Sequence, residues 1–363
     1  MPSNVEVIGR ASRKLRLDPQ NPVLPARVSP SLRCRHMWTT ITAVLAVAIV
    51  ACTPENTTSP AVHTRFVTGS DTTANCIAGA YQVGLTALTD LAGGTYTDPE
   101  GGVHPGGLYD TGLNTRPPEI DAVMPTVTRV ANVIGVATLG GSTISRIADS
   151  LLAAVKRDPL KNKFIKTANG GISAKRMDAW ADPTATAWAD FAAVLKSAGI
   201  QPKQLRVVFV MDIQSAGLGT FEGEVAQNAT WMDSSVSNIR AKYPSVQMVF
   251  LTSHHYLGYS GLAPIQEPIA FWNAWSVQRV VRRRAGTANP WTVVGPYVWA
   301  NGLGSDSVAG GVPGRSDGLE LACVDFEAVG TNSGVHLSPS GAVKGTNDFM
   351  AFLHTDASTV WYR

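Results

Sequence analysis

From residue 130 onward the sequence alternates between apolar runs rich in β-branched residues and longer segments with helical periodicity. The apolar runs cover residues 130–140, 164–168, 205–213, 246–253 and 291–299. The helical segments cover residues 143–157, 184–198, 222–242, 267–284 and 339–353. Strands that alternate with helices form a parallel sheet covered by helices on both faces. The pattern therefore predicts an α/β fold with a mostly parallel sheet.

The segment before residue 130 has a different composition. Residues 91–118 are rich in Gly, Pro, Tyr and Asn, which favours loops over regular elements. We therefore predict a Gly-rich N-terminal extension over residues 76–129 and the α/β domain over residues 130–363. With 44% hydrophobic and 16% charged residues, the chain is neither a disordered nor a coiled-coil protein.

Residues 1–51 have the pattern of a secretory leader. A basic flank precedes the uncharged apolar run 37–51, which is shorter than the roughly 20 residues that a membrane-spanning helix needs. The tetrapeptide Ile49-Val50-Ala51-Cys52 is similar to a bacterial lipobox, which predicts a lipid on Cys52 and a flexible tether over residues 52–75. The alternatives are a plain signal peptide with an incidental Cys52, and a start of translation at Met37.

Positive charge is concentrated in this leader. The first 36 residues carry seven bases and two acids, a balance of +5, whereas the whole chain carries +3. The rest of the chain therefore carries −2, which argues against a nucleic-acid partner.

Two cysteines, Cys76 and Cys323, follow the leader and Cys52. In an exported protein such residues can form a disulfide, and the alternative is a pair of buried thiols. The sequence leaves both possibilities open.

The first long strand runs into a helix through Gly140-Gly141-Ser142-Thr143. In parallel sheets the functional site lies beyond the carboxyl ends of the strands. Glycines permit a sharp turn there, so the serine is presented at the sheet edge, close to the positive end of the helix. Ser142 is therefore the candidate nucleophile, and the alternative role for it is a helix N-cap.

The general base has to be a histidine, and His336 is the candidate. It lies in a loop directly before the last helix, which Ser338 is predicted to cap and which is predicted to begin at Pro339. His254 and His255 follow a strand and therefore also lie at the site edge of the sheet.

Two further strand ends offer donors for an oxyanion. One strand leads into Asn169-Gly170-Gly171, where the backbone N–H of Gly170 or Gly171 is a candidate donor. Another leads into Gln214, whose side-chain amide is a second candidate.

At these residues the sequence resembles the SGNH (GDSL-like) hydrolases, in particular a bacterial group of secreted members. The resemblance spans roughly residues 85–363. Its segments are Gly140–Thr143, 168–174, 295–303, 315–319 and 334–341. It implies a flavodoxin-like three-layer α/β/α sandwich and a serine esterase without a cofactor, whose substrates include acetylated carbohydrates.

The chain departs from the family pattern at three positions. Gly141 stands where Asp or Met usually precedes the serine, and Gln214 is the nearest match to an oxyanion Asn. The usual acid lies three residues before the histidine, where this chain has Ser333. We take Asp325 as the candidate acid; the alternatives are Glu327, or a Ser–His dyad oriented by a backbone carbonyl.

The sequence thus predicts a serine esterase exported to the bacterial cell envelope, anchored in the membrane by lipid and acting on a small-molecule or glycan ester. One alternative is a carbohydrate-binding lipoprotein that keeps the fold without catalysis and stacks sugars on tryptophans. The tryptophans that are candidates for stacking on sugars include Trp180, Trp188, Trp272, Trp275 and Trp299. Another is a metal-dependent hydrolase built on His254 and His255, for which no HExxH motif is present.

Overall fold

The computed structural model describes residues 86–258, 267–300, 320–321, 325–327 and 334–363. The strands are β1 (Thr95–Thr97), β2 (Val103–Pro105), β3 (Ile134–Gly140), β4 (Ile165–Ala168), β5 (Leu205–Met211), β6 (Met248–Thr252), β7 (Trp291–Val294), β8 (Trp299–Ala300) and β9 (Glu320–Leu321). The helices are α1 (Pro118–Asp121), α2 (Ser142–Arg157), α3 (Met177–Ala181), α4 (Ala187–Ser197), α5 (Phe221–Lys242), α6 (Ile269–Arg284) and α7 (Pro339–Thr355). The leader 1–51, the tether 52–75 and the three cysteines that follow Cys34 all lie outside the described residues.

The described strands β3 to β7 form a five-stranded sheet in the order β4-β3-β5-β6-β7, and every neighbouring pair is parallel. In chain order this is 2-1-3-4-5, the flavodoxin-like arrangement. The predicted fold class is therefore confirmed. The chain leaves β3 in one direction along the sheet and later continues from β5 in the other, so a crevice opens at the carboxyl ends of these two strands.

Helices cover both faces of this sheet. Helix α2 packs against α7, whereas α5 packs against α3 and α6. Because crossovers between parallel strands are right-handed, connections that lead in opposite directions along the sheet lie on opposite faces. The helices thus form the outer layers of a three-layer sandwich.

The strands have the character that the sequence indicates. Every residue of β3, β6 and β7 is buried, as expected where helices cover both faces. The predicted strand 291–299 ends early, because the chain leaves the sheet at Gly295-Pro296 and pairs again only as β8. Residues 130–133 form a tight turn rather than the start of β3.

The Gly-rich extension contains regular structure that the sequence did not reveal. Strands β1 and β2 form an antiparallel hairpin. Helix α6 donates three hydrogen bonds to this region: Trp272 Nε1 to the Tyr96 hydroxyl (3.0 Å), Trp275 Nε1 to the Pro105 carbonyl (2.9 Å) and Gln278 Nε2 to the Gly107 carbonyl (2.6 Å). The described part of the extension and the sandwich fall in one compact unit, so residue 130 is not a physical boundary.

A helix that crosses a membrane must be both long and apolar. Within the described ranges, none combines the length and the apolar character that crossing a membrane demands.

Candidate active site

Ser142 occupies the first position of α2, directly at the end of β3. Gly140 has a φ of +151°, and a Cβ there would lie 2.1 Å from the Met211 carbonyl oxygen, so the turn requires glycine. Gly141 is the N-cap, and the helix begins at the next residue. The first-turn N–H groups of a helix lack intrahelical acceptors, so the serine hydroxyl lies beside free donors. The predicted strand–glycine–serine–helix arrangement is present.

His336 lies directly against this serine. Its Nε2 is 2.7 Å from Ser142 Oγ, a normal hydrogen-bond length. The ring is mostly buried, with the residue 9% exposed. Helix α7 begins three residues later, where the Ser338 hydroxyl accepts a hydrogen bond from the backbone N–H of Gly341. The capped helix and its preceding loop thus hold the imidazole over the carboxyl edge of the sheet.

The carboxylate beside His336 belongs to Glu327, not to Asp325. Phe326 pairs antiparallel with Leu337, which places Glu327 directly opposite His336 and their side chains on one face. Glu327 Oε2 lies 3.5 Å from His336 Nδ1. Asp325 sits two residues along, where its carboxylate accepts from the Ser340 hydroxyl and pairs with Lys344 at 2.6 Å. Our choice of Asp325 as the acid is corrected to Glu327, the alternative.

Three influences set the protonation of His336. Burial lowers the pKa of His336, the Glu327 carboxylate acts against this lowering, and the nearby Arg146 guanidinium adds to it. Arg146 also forms an ion pair with the second oxygen of Glu327 at 2.7 Å. The imidazole is therefore neutral at pH 7, with Nδ1–H directed at Glu327 and Nε2 free to accept the serine proton.

The two glycines predicted as oxyanion donors are engaged within the protein. The N–H of Gly170 donates to the Thr138 hydroxyl at 3.1 Å, and the N–H of Gly171 donates to the Asn169 side chain at 3.0 Å. A Cβ on Gly171 would lie 2.5 Å from the backbone nitrogen of Ser145. These glycines allow the strand end to pack closely against α2, and their assignment as donors is corrected.

Gln214 is likewise occupied. Its Nε2 donates to the Ser215 carbonyl at 3.1 Å, and its Oε1 accepts from Arg176 at 3.0 Å. The side chain therefore orients Arg176 and is not available as the predicted oxyanion donor.

The turn that follows these glycines reaches the site instead. The N–H of Lys175 donates to the Ile172 carbonyl at 3.1 Å, and Ala174 adopts a φ of +61°. Ser173 and Ala174 line the same cavity as Ser142. Within the described part of the chain, the backbone N–H of Ala174 has no acceptor. A free N–H in the wall of this cavity can bind an oxyanion.

A cavity of about 180 Å³ opens above Ser142 and His336. Its wall includes the cationic side chains of Lys175 and Arg176, and the buried side chains of Asp212 and His254. Sequence reasoning missed Asp212, although an acidic residue directly after the apolar run 205–211 was a visible signal. The local sequence does not predict the left-handed backbone conformation of Ala174.

His254 contacts Thr143, the residue that follows Ser142. Its Nδ1 donates to the His255 carbonyl at 2.9 Å, so its Nε2 accepts from the Thr143 hydroxyl at 3.2 Å. Burial lowers the pKa of His254 to about 4, and burial also lowers the pKa of His255. Both rings are therefore neutral at pH 7. Across the residues that the structure describes, no group of three or more His, Cys, Asp or Glu side chains is placed to hold a metal.

The tryptophans named as sugar-stacking surfaces are core residues. All five are at most 5% exposed. Trp180 and Trp188, for example, meet edge to face with ring centroids 5.2 Å apart, as in ordinary core packing. The prediction that these five tryptophans offer stacking surfaces for sugars is therefore wrong.

The chain was compared with known proteins. No protein-family model and no curated protein matches it. Among solved structures it is similar to a salicylyl-acyltransferase, SsfX3, from a tetracycline biosynthetic pathway, with 14% identity and a TM-score of 0.33. The match covers 66% of this chain and 58% of that chain, which is less than two thirds of its length. A likeness of this size supports no functional argument.

Proposed function

We propose that the chain is a serine esterase of the SGNH type, carried to the cell envelope by the leader and held there through Cys52. The observation that supports this most is the 2.7 Å contact between Ser142 Oγ and His336 Nε2 at the start of α2. Glu327 on the far side of the imidazole completes a Ser–His–Glu arrangement. The resemblance that carries the family assignment lies in the same residues.

In the proposed reaction, Ser142 Oγ attacks the ester carbonyl while His336 Nε2 takes the hydroxyl proton. Glu327 stabilises the imidazolium that forms. In this proposal the negatively charged oxygen accepts hydrogen bonds from the backbone N–H groups of Ser142 and Ala174, which both line the cavity. His336 then returns its proton to the departing alcohol, and the acyl group stays on Ser142. Water, deprotonated by His336, releases the acid and restores the serine.

The test is hydrolysis of p-nitrophenyl acetate, together with labelling by a fluorophosphonate probe, on the purified full-length chain. We expect Ser142→Ala to abolish labelling and to lower kcat by at least ~10³-fold, since the nucleophile is lost. Ser150→Ala is the matched control, because Ser150 lies in the same helix outside the cavity wall. It should label like the wild type.

The two readouts also separate the alternatives. A wild-type chain that neither labels nor hydrolyses the ester, yet binds glycans, would support the sugar-binding protein instead. Turnover by Ser142→Ala at the wild-type rate would exclude Ser142 as the nucleophile.

A further inference from the structure

Two cationic side chains of the cavity wall, Lys175 and Arg176, take no part in the reaction above. Lys175 is half-buried and Arg176 is exposed. Within the described residues neither of them forms an ion pair, whereas Arg146 pairs with Glu327. Cations without counter-ions in the wall of a cavity favour an anionic group inside it.

The wall of the cavity has a positive charge of its own. Among its described residues the only carboxyl group is that of Asp212, which is buried. Two cations against one carboxyl group leave a positive balance whether or not Asp212 is ionised. The chain after residue 36 carries −2 in total, so this charge belongs to the cavity and not to the protein as a whole. A cleft of one sign attracts substrates of the opposite sign.

Gln214 holds Arg176 in one orientation. Arg176 Nη1 donates to Gln214 Oε1 at 3.0 Å, and Gln214 Nε2 donates in turn to the Ser215 carbonyl at 3.1 Å. The backbone N–H of Gln214 donates to the buried side chain of Asn228 at 3.3 Å. In the described structure Arg176 Nε and Nη2 have no acceptor. A guanidinium is a planar fork of N–H donors that can bind both oxygens of a carboxylate.

The backbone brings Arg176 to the nucleophile. A Cβ built on Gly141 would lie 2.9 Å from the Lys175 carbonyl oxygen, so the residue before Arg176 packs against the residue before Ser142. Gln214, which holds the guanidinium, follows β5, the strand that neighbours β3. Ser142 and Arg176 therefore line one cavity of about 180 Å³.

Lys175 supplies charge without a fixed orientation for two oxygens. Its Nζ donates to the Thr186 hydroxyl at 2.9 Å, at the start of α4. An ammonium group is a compact charge with three donors, whereas a guanidinium matches the plane of a carboxylate. We therefore expect Arg176 to contact an anion directly and Lys175 to add to the positive potential.

We propose that the cavity takes an ester that carries a carboxylate, and that Arg176 binds this carboxylate while Ser142 attacks the ester carbonyl. The inference rests on the proposed function, because it names the substrate class of that esterase. It adds no covalent step: the carboxylate stays intact, and the ester bond is the bond that breaks. The carboxylate belongs either to the acyl part or to the alcohol part of the ester, and the test separates the two.

Two pairs of substrates test this inference on the purified full-length chain. In the first pair the acyl part carries the carboxylate: the mono-p-nitrophenyl ester of adipic acid is compared with its methyl ester. In the second pair the alcohol part carries it: 4-acetoxybenzoate is compared with methyl 4-acetoxybenzoate. The measured quantity is the ratio of kcat/KM for the anionic ester to kcat/KM for the neutral one. General damage to the site lowers both values and leaves their ratio unchanged.

We expect Arg176→Gln to lower this ratio about tenfold in one of the two pairs. This is the low end for a hydrogen bond to a charged group, because Arg176 is exposed. Arg176→Lys should lower the ratio less, since it keeps the charge without the fork, and so should Lys175→Gln. Lys203→Gln is the matched control. It removes one exposed positive charge directly before β5, outside the cavity wall, and should keep the wild-type ratio.

The inference is overturned if Arg176→Gln keeps the wild-type ratio in both pairs, or if Lys203→Gln lowers the ratio as much as Arg176→Gln does. If the wild type hydrolysed none of the four esters, or if Ser142→Ala turned them over at the wild-type rate, the proposed esterase would fail and the inference with it. The failure of the inference alone is thus distinguishable from the failure of the proposed function.

Discussion

Two charged residues beside His336 should shift the pH dependence of ester hydrolysis in opposite directions. Glu327 raises the pKa of His336 against the lowering that burial causes, and Arg146 lowers it further. Since His336 acts as a base only when neutral, the rate rises as the pH passes its pKa. Glu327→Gln should therefore move the acid limb of the profile to lower pH, and Arg146→Gln should move it to higher pH.

The Glu327 variant should also lose rate above the acid limb, where His336 is neutral in every variant. At the 3.5 Å between Glu327 Oε2 and His336 Nδ1, Coulomb's law gives about 5 kcal/mol at a dielectric of about 20 and about 1 kcal/mol in water. Glu327 is 27% exposed and shares its charge with Arg146, so we take about 2 kcal/mol for the imidazolium. This corresponds to a roughly 30-fold fall in kcat/KM.

The assay is the initial rate of p-nitrophenyl acetate hydrolysis between about pH 4 and 8, around the ordinary histidine pKa. The Ser142→Ala chain supplies the background rate. Asp325→Asn is the matched control, because the Asp325 carboxylate contacts Ser340 and Lys344. The reasoning is refuted if the Glu327 and Arg146 variants shift the limb the same way, or if the Asp325 variant matches the Glu327 variant.

Two buried ionisable groups and the proposed lipidation at Cys52 give further predictions. Burial lowers the pKa of His254 from 6.5 to about 4, so the unfolded chain binds more protons in that range and the native state loses stability as the pH falls through it. In urea unfolding, His254→Gln should remove about 3 kcal/mol of this acid destabilisation. Burial raises the pKa of Glu267 from 4.5 to about 7, so the native state binds more protons there and loses stability as the pH rises. Glu267→Gln should remove that loss. If the His254 and Glu267 variants changed the pH dependence of the unfolding free energy in the same direction, the opposite pKa shifts of the two groups would be contradicted. Finally, Cys52→Ser should move the chain from the membrane to the soluble fraction of an expressing bacterium; retention in the membrane would exclude a lipid anchor at Cys52.

The sandwich was predictable because its strands are buried on both faces and therefore appear as continuous apolar runs. The predicted helix over 222–242 differs from α5 by one residue at its start. The β1–β2 hairpin was not predictable, because its Gly-rich sequence has no strand pattern and its hydrogen bonds to α6 come from residues far along the chain. Tertiary contacts override local propensity in such a segment.

The candidate site also has a part that the sequence predicts and a part that it does not. The positions of Ser142 and His336 follow from local patterns, a glycine turn into a helix and a loop before a capped helix. The choice between Asp325 and Glu327 depends on the register between residues 325–327 and 334–338, which neither segment reveals alone. The N–H groups of Gly170 and Gly171 donate to the side chains of Thr138 and Asn169. These hydrogen bonds depend on how the strand ends pack against α2, which the local sequence does not reveal.

The docking of the extension on α6 constrains how this chain can vary. The indole N–H groups of Trp272 and Trp275 and the amide of Gln278 find their acceptors in the hairpin region. A chain cut at residue 130 would leave three donors without acceptors, each at roughly 1–3 kcal/mol if it stayed buried. Substitutions at Tyr96 and Trp272 should therefore be accepted together or not at all.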